Sequence, residues 1–90
     1  MEIEIIHDKD KHTFKTEING YTAYVKYRIN GDKLDIIHTL VPPPLEGKGI
    51  ASLLVKYAYD YAVKNGLTPY ATCSYAVTWL LRHPEYGNNL

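Results

Sequence analysis

The fold is decided by residues 34–65, which read LDIIHTLVPPPLEGKGIASLLVKYAYDYAVKN. The run from Lys33 to Val41 is rich in β-branched residues and predicts a strand. Pro42-Pro43-Pro44 ends this strand, because three successive residues without an N–H group cannot sustain a ladder of hydrogen bonds. From Gly49 to Asn65, polar residues recur every four positions opposite a row of apolar residues, which predicts an amphipathic helix. The stretch therefore predicts a strand, a glycine-containing turn and a long helix in succession.

The chain after this helix predicts another strand and a shorter helix. Gly66 is the predicted C-cap of the long helix, and Leu67 to Cys73 return to strand character. A helix that crosses from one strand to the next predicts a right-handed βαβ unit with parallel strands. Ser74 is predicted to cap a helix from Tyr75 to Arg82, which His83-Pro84 ends.

The first forty residues predict an antiparallel meander. Asn19-Gly20 and Asn30-Gly31-Asp32 are hairpin signals, because these residues tolerate positive φ. The other predicted elements are a strand at Ile3 and Ile5, a polar turn from His7 to Lys11, and strands from Phe14 to Ile18 and from Tyr21 to Ile29. We therefore expect a single α+β domain over residues 1–90: a meander of strands, then a βαβ unit and a short C-terminal helix.

The composition excludes several functional classes. Ten basic residues balance ten acidic ones, so no basic face for nucleic acid is expected. The longest stretch with few charges, Leu34 to Pro44, is too short to span a bilayer. The N-terminus Met1-Glu2-Ile3-Glu4 lacks the basic-then-apolar order of a signal peptide, which predicts a cytoplasmic location. Cys73 is the only cysteine, so no internal disulfide can form and a reducing compartment fits.

The turn Glu46-Gly47-Lys48-Gly49-Ile50-Ala51 lies between the strand and the long helix. Small residues let the backbone approach a ligand, and the first N–H groups of a helix lack intrahelical partners. Together with the positive end of the helix dipole they form an anion site that suits a diphosphate. A tight turn that merely caps the helix explains the same residues, so this alternative stays open. The stretch is neither a P-loop nor a dinucleotide fingerprint, because the required lysine and glycine positions are missing.

This order of elements, with this turn, resembles the core of the GNAT acetyltransferase superfamily, whose motif is Q/R-x-x-G-x-G/A. Gly49 and Ala51 stand at its small positions, whereas Glu46 stands where Gln or Arg is usual. The resemblance is closer to a family of very small GNAT-like proteins that bind acetyl-CoA. It rests on four patches: Ile37–Val41, Glu46–Ala51, Thr72–Tyr75 and His83–Tyr86.

The resemblance implies that the chain binds acetyl-CoA and transfers its acetyl group to an unidentified amine or protein acceptor. The pyrophosphate is expected on the backbone N–H groups of the turn. The pantetheine arm is expected along the end of the central strand, in a split between this strand and Leu67–Cys73. The residues implied to bind the coenzyme are Leu40, Val41, Gly47, Lys48, Gly49, Ile50 and Ala51. No metal ligand is implied.

Cys73 and His38 are the candidate catalytic residues. The resemblance implies that Cys73 is an active-site cysteine, and its place between a strand end and a helix start lowers the pKa of a thiol. A small buried cysteine is the alternative. His38 is the candidate base, because imidazole titrates near neutrality and lies on the central strand; a histidine bonded within the sheet is the alternative. His7 and His12 are expected to be solvent-exposed, and His83 to cap a helix end.

Two features count against a standard enzyme of the superfamily. The general-acid tyrosine that the resemblance implies falls around Leu80-Leu81, and Tyr75 and Tyr86 are the alternative candidates for this role, although neither matches the spacing. Trp79 to Leu81 are expected to pack the last helix on the sheet. The chain also stops at Leu90, before the further strands that build the acceptor pocket in most members. A non-catalytic module that binds CoA is therefore an alternative. A third is a structural partner that dimerises through tyrosines, and a monomer or weak homodimer is expected; the tyrosines are Tyr21, Tyr27, Tyr57 and Tyr61.

Overall fold

A meander of antiparallel strands leads into a parallel βαβ unit, as the sequence predicts. The computed structural model describes residues 3–87, and its sheet has the strand order β1-β2-β3-β4-β5. The predicted α+β class is therefore confirmed. The elements are β1 (Ile6–Asp8), β2 (Thr13–Ile18), β3 (Tyr21–Asn30), β4 (Lys33–Leu40), a 3₁₀ turn (Pro43–Leu45), α1 (Ile50–Lys64), β5 (Thr68–Ala71), α2 (Ser74–Arg82) and α3 (Pro84–Gly87). The predicted features at Met1, Glu2 and Leu90 lie outside the described residues.

The first strand differs from the prediction. It runs from Ile6 to Asp8, so that it overlaps the start of the segment predicted as a turn, and it pairs with β2. The cause is tertiary: the ring of His7 stacks on Phe14 at 3.9 Å, and its Nε2 lies 2.7 Å from the Tyr27 hydroxyl oxygen. His7 is half-buried, so the expectation that it is simply exposed is wrong. The predicted hairpin at Asn19-Gly20 is confirmed, with φ values of 53° and 81°.

Helix α1 packs its apolar side against the sheet. Its C-cap lies one residue earlier than predicted, because Asn65 is the C-cap and Gly66, with φ of 74°, follows it. The N–H groups of Gly66 and Leu67 donate back to the carbonyls of Val63 and Ala62 at 3.2 and 2.8 Å, which is the Schellman arrangement. The buried residues of α1 are Ile50, Leu54, Val55, Ala58, Tyr59 and Ala62.

Strand β5 is shorter than predicted and lies parallel to β4, so the predicted βαβ unit is confirmed. Cys73, and not Ser74, is the N-cap of α2, whereas His83 is the C-cap as expected. Trp79 and Leu80 are buried as expected, but the prediction for Leu81 is wrong, because 73% of its surface is exposed. Within residues 3–87, no helix combines the length and the apolar character needed to cross a membrane.

The four tyrosines expected on one dimer surface are not all at the surface of the protein. Tyr27 is buried beneath His7 and Phe14, whereas Tyr21 and Tyr57 are exposed. Burial, with smaller effects of Tyr61 and Asp8, raises the pKa of Tyr27 to about 12. Tyr27 therefore belongs to the core and cannot contribute to an interface.

The contacts of His7 predict that acid destabilises the protein. Burial, with a smaller effect of the Lys9 charge, lowers the pKa of His7 below its usual value. Between the usual value of about 6.5 and the lower folded value, the unfolded chain binds a proton that the folded chain does not. The melting temperature should therefore fall as the pH decreases from about 7 to 5.

The variant His7→Gln should lose part of this dependence, since it removes the titrating ring. His12→Gln is the matched control, because His12 is an exposed histidine of the same turn region. Melting curves over this pH range check the prediction, and equal slopes for wild type and His7→Gln would contradict it.

Candidate functional site

Strands β4 and β5 part at the centre of the sheet. Their pairing ends at Ile36 and Ala71, and the Ile36 carbonyl then accepts hydrogen bonds from the N–H groups of Thr72 and Cys73 at 3.1 and 3.0 Å. Strand β4 continues to Leu40 with β3 as its neighbour, while the other chain turns into α2. The predicted split between the two strands is therefore present.

A cleft of about 470 Å³ continues from this split to the start of α1. Its lining includes the end of β4 with the following residue, Thr39 to Val41, and Tyr75 of α2. The other lining residues are Leu45, Glu46, Gly47 and Gly49 from the turn, and Ile50, Ala51 and Ser52 from the first turn of α1. A groove of this size lies within the range of small-molecule and cofactor sites.

The turn before α1 leaves a run of backbone donors without partners. Within residues 3–87, no hydrogen bond uses the N–H groups from Gly47 to Ser52. The run is bounded by the N–H of Glu46, which donates to Pro43 at 3.1 Å, and that of Leu53, which donates to Gly49 at 3.1 Å. The first turn of α1 carries no acidic residue, so its positive end is not neutralised there. Such a terminus attracts an anion.

Two glycines shape this turn. Gly47 and Gly49 have φ values of 78° and 76°, a conformation that residues with a side chain rarely adopt. No atom lies within 4 Å of a Cβ placed on either residue, so the space beside the backbone is open to a ligand. Glu46 also lines the cleft, and its carboxylate is unfavourable for a phosphate. Lys48 is exposed and does not line the cleft.

Cys73 lies at the inner end of the split, where its thiol faces β4. The Sγ atom is 3.5 Å from the hydroxyl oxygen of Thr39, and the residue is half-buried. Burial by itself raises the pKa of the thiol. Hydrogen bonds with the Thr39 hydroxyl and with backbone groups of Ala76, Tyr75 and Thr39 outweigh this effect and lower the pKa overall. The sulfur therefore carries more thiolate near neutral pH than an ordinary cysteine does.

His38 lies on the opposite face of the sheet from the cleft. The register between β3 and β4 shifts, because Lys26 pairs with His38 and Tyr27 with Ile36, which leaves Ile37 as an extra residue. This bulge turns His38 to the face away from α1 and Thr39 to the face that carries Val25. The His38 ring is exposed and lies 5.7 Å from that of Tyr24. The structure therefore places His38 and Cys73 apart. Cys73 contacts Thr39, which lines the cleft, whereas His38 lies on the open face, and neither of the two residues lines the cleft itself.

The sequence did not indicate Ser52 as a cleft residue, and it indicated Tyr75 only as a substitute general acid, not as a partner of Ser52. Ser52 accepts a hydrogen bond from Trp79 Nε1 at 2.8 Å, and its hydroxyl also contacts the Tyr75 phenol. Burial raises the pKa of Tyr75, and the contacts with Ser52 and Arg82 partly offset this rise. Ser52 and Tyr75 belong to two different helices, so no pattern in the sequence indicates that their side chains are in contact.

Comparisons with known proteins agree with this geometry. Residues 13–90 match the profile of the family described as GCN5-related N-acetyl-transferase. Protein NATD1 of Xenopus tropicalis is 34% identical over 85 residues, which cover 91% of this chain and 78% of that protein. Protein NATD1 of Homo sapiens is 33% identical over 85 residues, which cover 91% of this chain and 75% of that protein.

The fold is also that of a known structure. A GCN5-like protein from Staphylococcus aureus, determined by NMR in solution, aligns with a TM-score of 0.73 and 29% identity. The alignment covers 92% of this chain and 82% of that one. Both the sequence profile and the relatives extend over most of the described residues. The chain therefore belongs to the GCN5-related N-acetyltransferase family.

Proposed function

We propose that the chain binds acetyl-CoA in the cleft and transfers the acetyl group to an amine through Cys73. The observation that carries the proposal is the run of unpartnered backbone N–H groups at the start of α1, beside the split between β4 and β5. The coenzyme's diphosphate is doubly anionic, and backbone donors at a helix N-terminus suit it. The donors are those of Gly47, Lys48, Gly49, Ile50 and Ala51.

The pantetheine arm then extends from the diphosphate towards Cys73. It lies along Leu40 and Val41, which form a side of the cleft. Because no strand within residues 3–87 pairs with β4 on its β5 side beyond Ile36, the main-chain groups of β4 there can pair with the amides of pantetheine, as an added strand would. This path leads the thioester to Thr39 and the nearby thiol of Cys73.

The chemical step begins at Cys73. Its thiolate attacks the thioester carbonyl carbon, and the tetrahedral intermediate then expels the thiolate of CoA, which takes up a proton from solvent. Cys73 is left as an S-acetyl thioester. The acceptor amine attacks this second carbonyl carbon, loses a proton, and expels Cys73 as a thiolate, so that an amide is formed. The lowered thiol pKa supports the first attack.

His38 is our proposed base for the acceptor amine, although it lies outside the cleft. It occupies the open face of the sheet, next in sequence to Thr39, and its ring is exposed. An amine that reaches the acetyl group from this face through the split between β4 and β5 would pass the imidazole, which can accept the proton that the amine loses. We also propose a cytoplasmic setting, since a working thiol requires a reducing compartment.

A second candidate function is a module that holds CoA without turnover. The position of His38 outside the cleft favours it, as does the buried and apolar Leu80 near the place where the family resemblance implies a general-acid tyrosine. An apolar side chain cannot protonate a leaving thiolate. In this alternative Cys73 is structural or forms a disulfide with the coenzyme.

Gly49→Ala tests the anion site. The added methyl group points into the open space beside the turn and strains its positive φ, which should move the backbone donors off the phosphate. We expect CoA binding to weaken by about 1–3 kcal/mol, measured by isothermal titration calorimetry.

Gly20→Ala is the matched control for backbone strain. Gly20 also has a positive φ and open space around it, but it lies in the β2–β3 hairpin. This variant should lose stability and keep its affinity for CoA. The proposal fails if the two variants bind CoA equally well, or if CoA does not raise the melting temperature of the wild type.

Isotope-labelled acetyl-CoA tests the covalent step. We expect one labelled acetyl group on the wild type, found by intact-protein mass spectrometry and released by neutral hydroxylamine, which cleaves thioesters and spares amides. Cys73→Ala should carry no such label, because Cys73 is the only thiol of the chain.

The wild type unfolded in urea is the control for chemical acetylation of any exposed thiol. A folded protein that binds CoA but labels no faster than this control would support the module function instead. A hydroxylamine-resistant label on Cys73→Ala would show acetylation elsewhere and contradict the role of this residue.

A further inference from the structure

Asp35 is a carboxylate buried within a strand. It lies in β4 between Leu34 and Ile36, and only 1% of its surface is exposed. Its Oδ2 atom accepts hydrogen bonds from Arg28 Nε at 3.1 Å and from the Thr72 hydroxyl at 2.8 Å. Within residues 3–87, no group donates a hydrogen bond to the buried Oδ1 atom.

This arrangement is costly for the fold. A buried carboxylate needs compensation at both of its oxygens, and here one oxygen has two donors while the other has none. The partner guanidinium belongs to Arg28, whose side chain is 57% exposed, so water screens the charge that opposes the buried one. Stability alone therefore does not account for an acid at this position.

The hydrogen bond from Thr72 to Asp35 lies where β4 and β5 separate. It joins β4 to the chain directly after β5, at the place where the two strands part. The same junction is held by the Ile36 carbonyl, which accepts from the N–H groups of Thr72 and Cys73. Thr72 is thus fixed by its side chain and its backbone, and the residue that follows it is Cys73.

We propose that Asp35 is a positioning residue for Cys73, acting through Thr72. By holding the Thr72 side chain against β4, it sets the direction in which the chain enters α2 and so places the sulfur beside Thr39. The contacts of Asp35 and Thr72 are present without a ligand. Their role in catalysis rests on the proposed function of Cys73.

The groups around the thiol indicate in which direction loss of the Asp35–Thr72 hydrogen bond should shift the pKa of Cys73. From β4 the Thr39 hydroxyl faces the sulfur, and from α2 the backbone groups of Tyr75 and Ala76 face it. The phenol of Tyr59 on α1 is close enough to both Asp35 and Cys73 to sense their charges, and its pKa is raised mainly by burial. Loss of the Asp35–Thr72 bond loosens Cys73 and weakens the hydrogen bonds that favour thiolate, so the thiol pKa should rise.

Thr72→Val tests the proposal, since it replaces the hydroxyl with a methyl group of similar size. The readout is the rate of alkylation of Cys73 by iodoacetamide across a range of pH, which reports one thiol because the chain has one cysteine. We expect the midpoint of the profile to move to higher pH and the rate near neutral pH to fall by roughly two- to tenfold. Thr72→Ser, which keeps the hydroxyl, should restore the wild-type profile.

Thr22→Val is the matched control for loss of a hydroxyl on a strand, because Thr22 is exposed on β3 and distant in sequence from the cysteine. It should leave the profile unchanged. Asp35→Asn provides a second variant should Thr72→Val fail to fold. It keeps one acceptor oxygen without the charge, so its profile should move in the same direction as that of Thr72→Val, but less.

Two results would overturn the proposal. One is a Thr72→Val protein that is folded, with a lowered melting temperature, but has the wild-type alkylation profile, which would make the bond merely structural. The other is a lower thiol pKa in Asp35→Asn, which would mean that Asp35 acts on the sulfur by its charge. Alkylation requires no coenzyme, so a failure of CoA binding would refute the proposed function without deciding this inference.

Discussion

The loss of pairing between β4 and β5 after Ile36 and Ala71 is the constraint on which the rest of the site depends. Up to that point the parallel strands share hydrogen bonds, and beyond it the main chain of β4 can reach a ligand on one side. The end of the strand and the start of α1 are separated only by the proline segment and the glycine turn. A linear ligand can therefore contact strand main chain at one end and helix N–H groups at the other.

In the proposed complex, the diphosphate would be attracted by backbone groups rather than by side chains. Glu46 lines the cleft, and Lys48 does not, so the nearby side chains oppose an anion more than they support it. The positive end of α1 and the open N–H groups have to outweigh this carboxylate. CoA would make much of its contact through pantetheine, so its binding would depend less on side-chain charge than the binding of free phosphate. A cleft that extends to Thr39 suits such a ligand.

Much of the fold was predictable because local signals agreed with it. Asn19-Gly20 specified a hairpin, and the change from strand alternation to helical spacing at Gly49 specified the βαβ unit. The first strand was misplaced because contacts with Phe14 and Tyr27 hold His7 in the sheet, and these partners are distant in sequence.

For the site, the turn of backbone donors and the place of Cys73 before a helix were readable from the sequence. The face of the sheet on which His38 lies could not be predicted from the sequence. Strict alternation along β4 puts His38 on the same face as Leu34 and Ile36, and only the extra residue Ile37 in the pairing with β3 reverses this. Asp35 was also unremarkable as a sequence position, since its burial depends on Arg28 and on Thr72, which is 37 residues away.

The central claim is that free main-chain amides at the start of α1 hold the coenzyme's diphosphate. Titration of the ¹⁵N-labelled protein with CoA, followed by two-dimensional ¹H–¹⁵N NMR, tests it at each amide. We expect the amide signals of Gly47, Gly49, Ile50 and Ala51 to shift most, together with those of Leu40 and Val41. Shifts confined to the open face around Tyr24 and His38, or no shifts at saturating CoA, would contradict it.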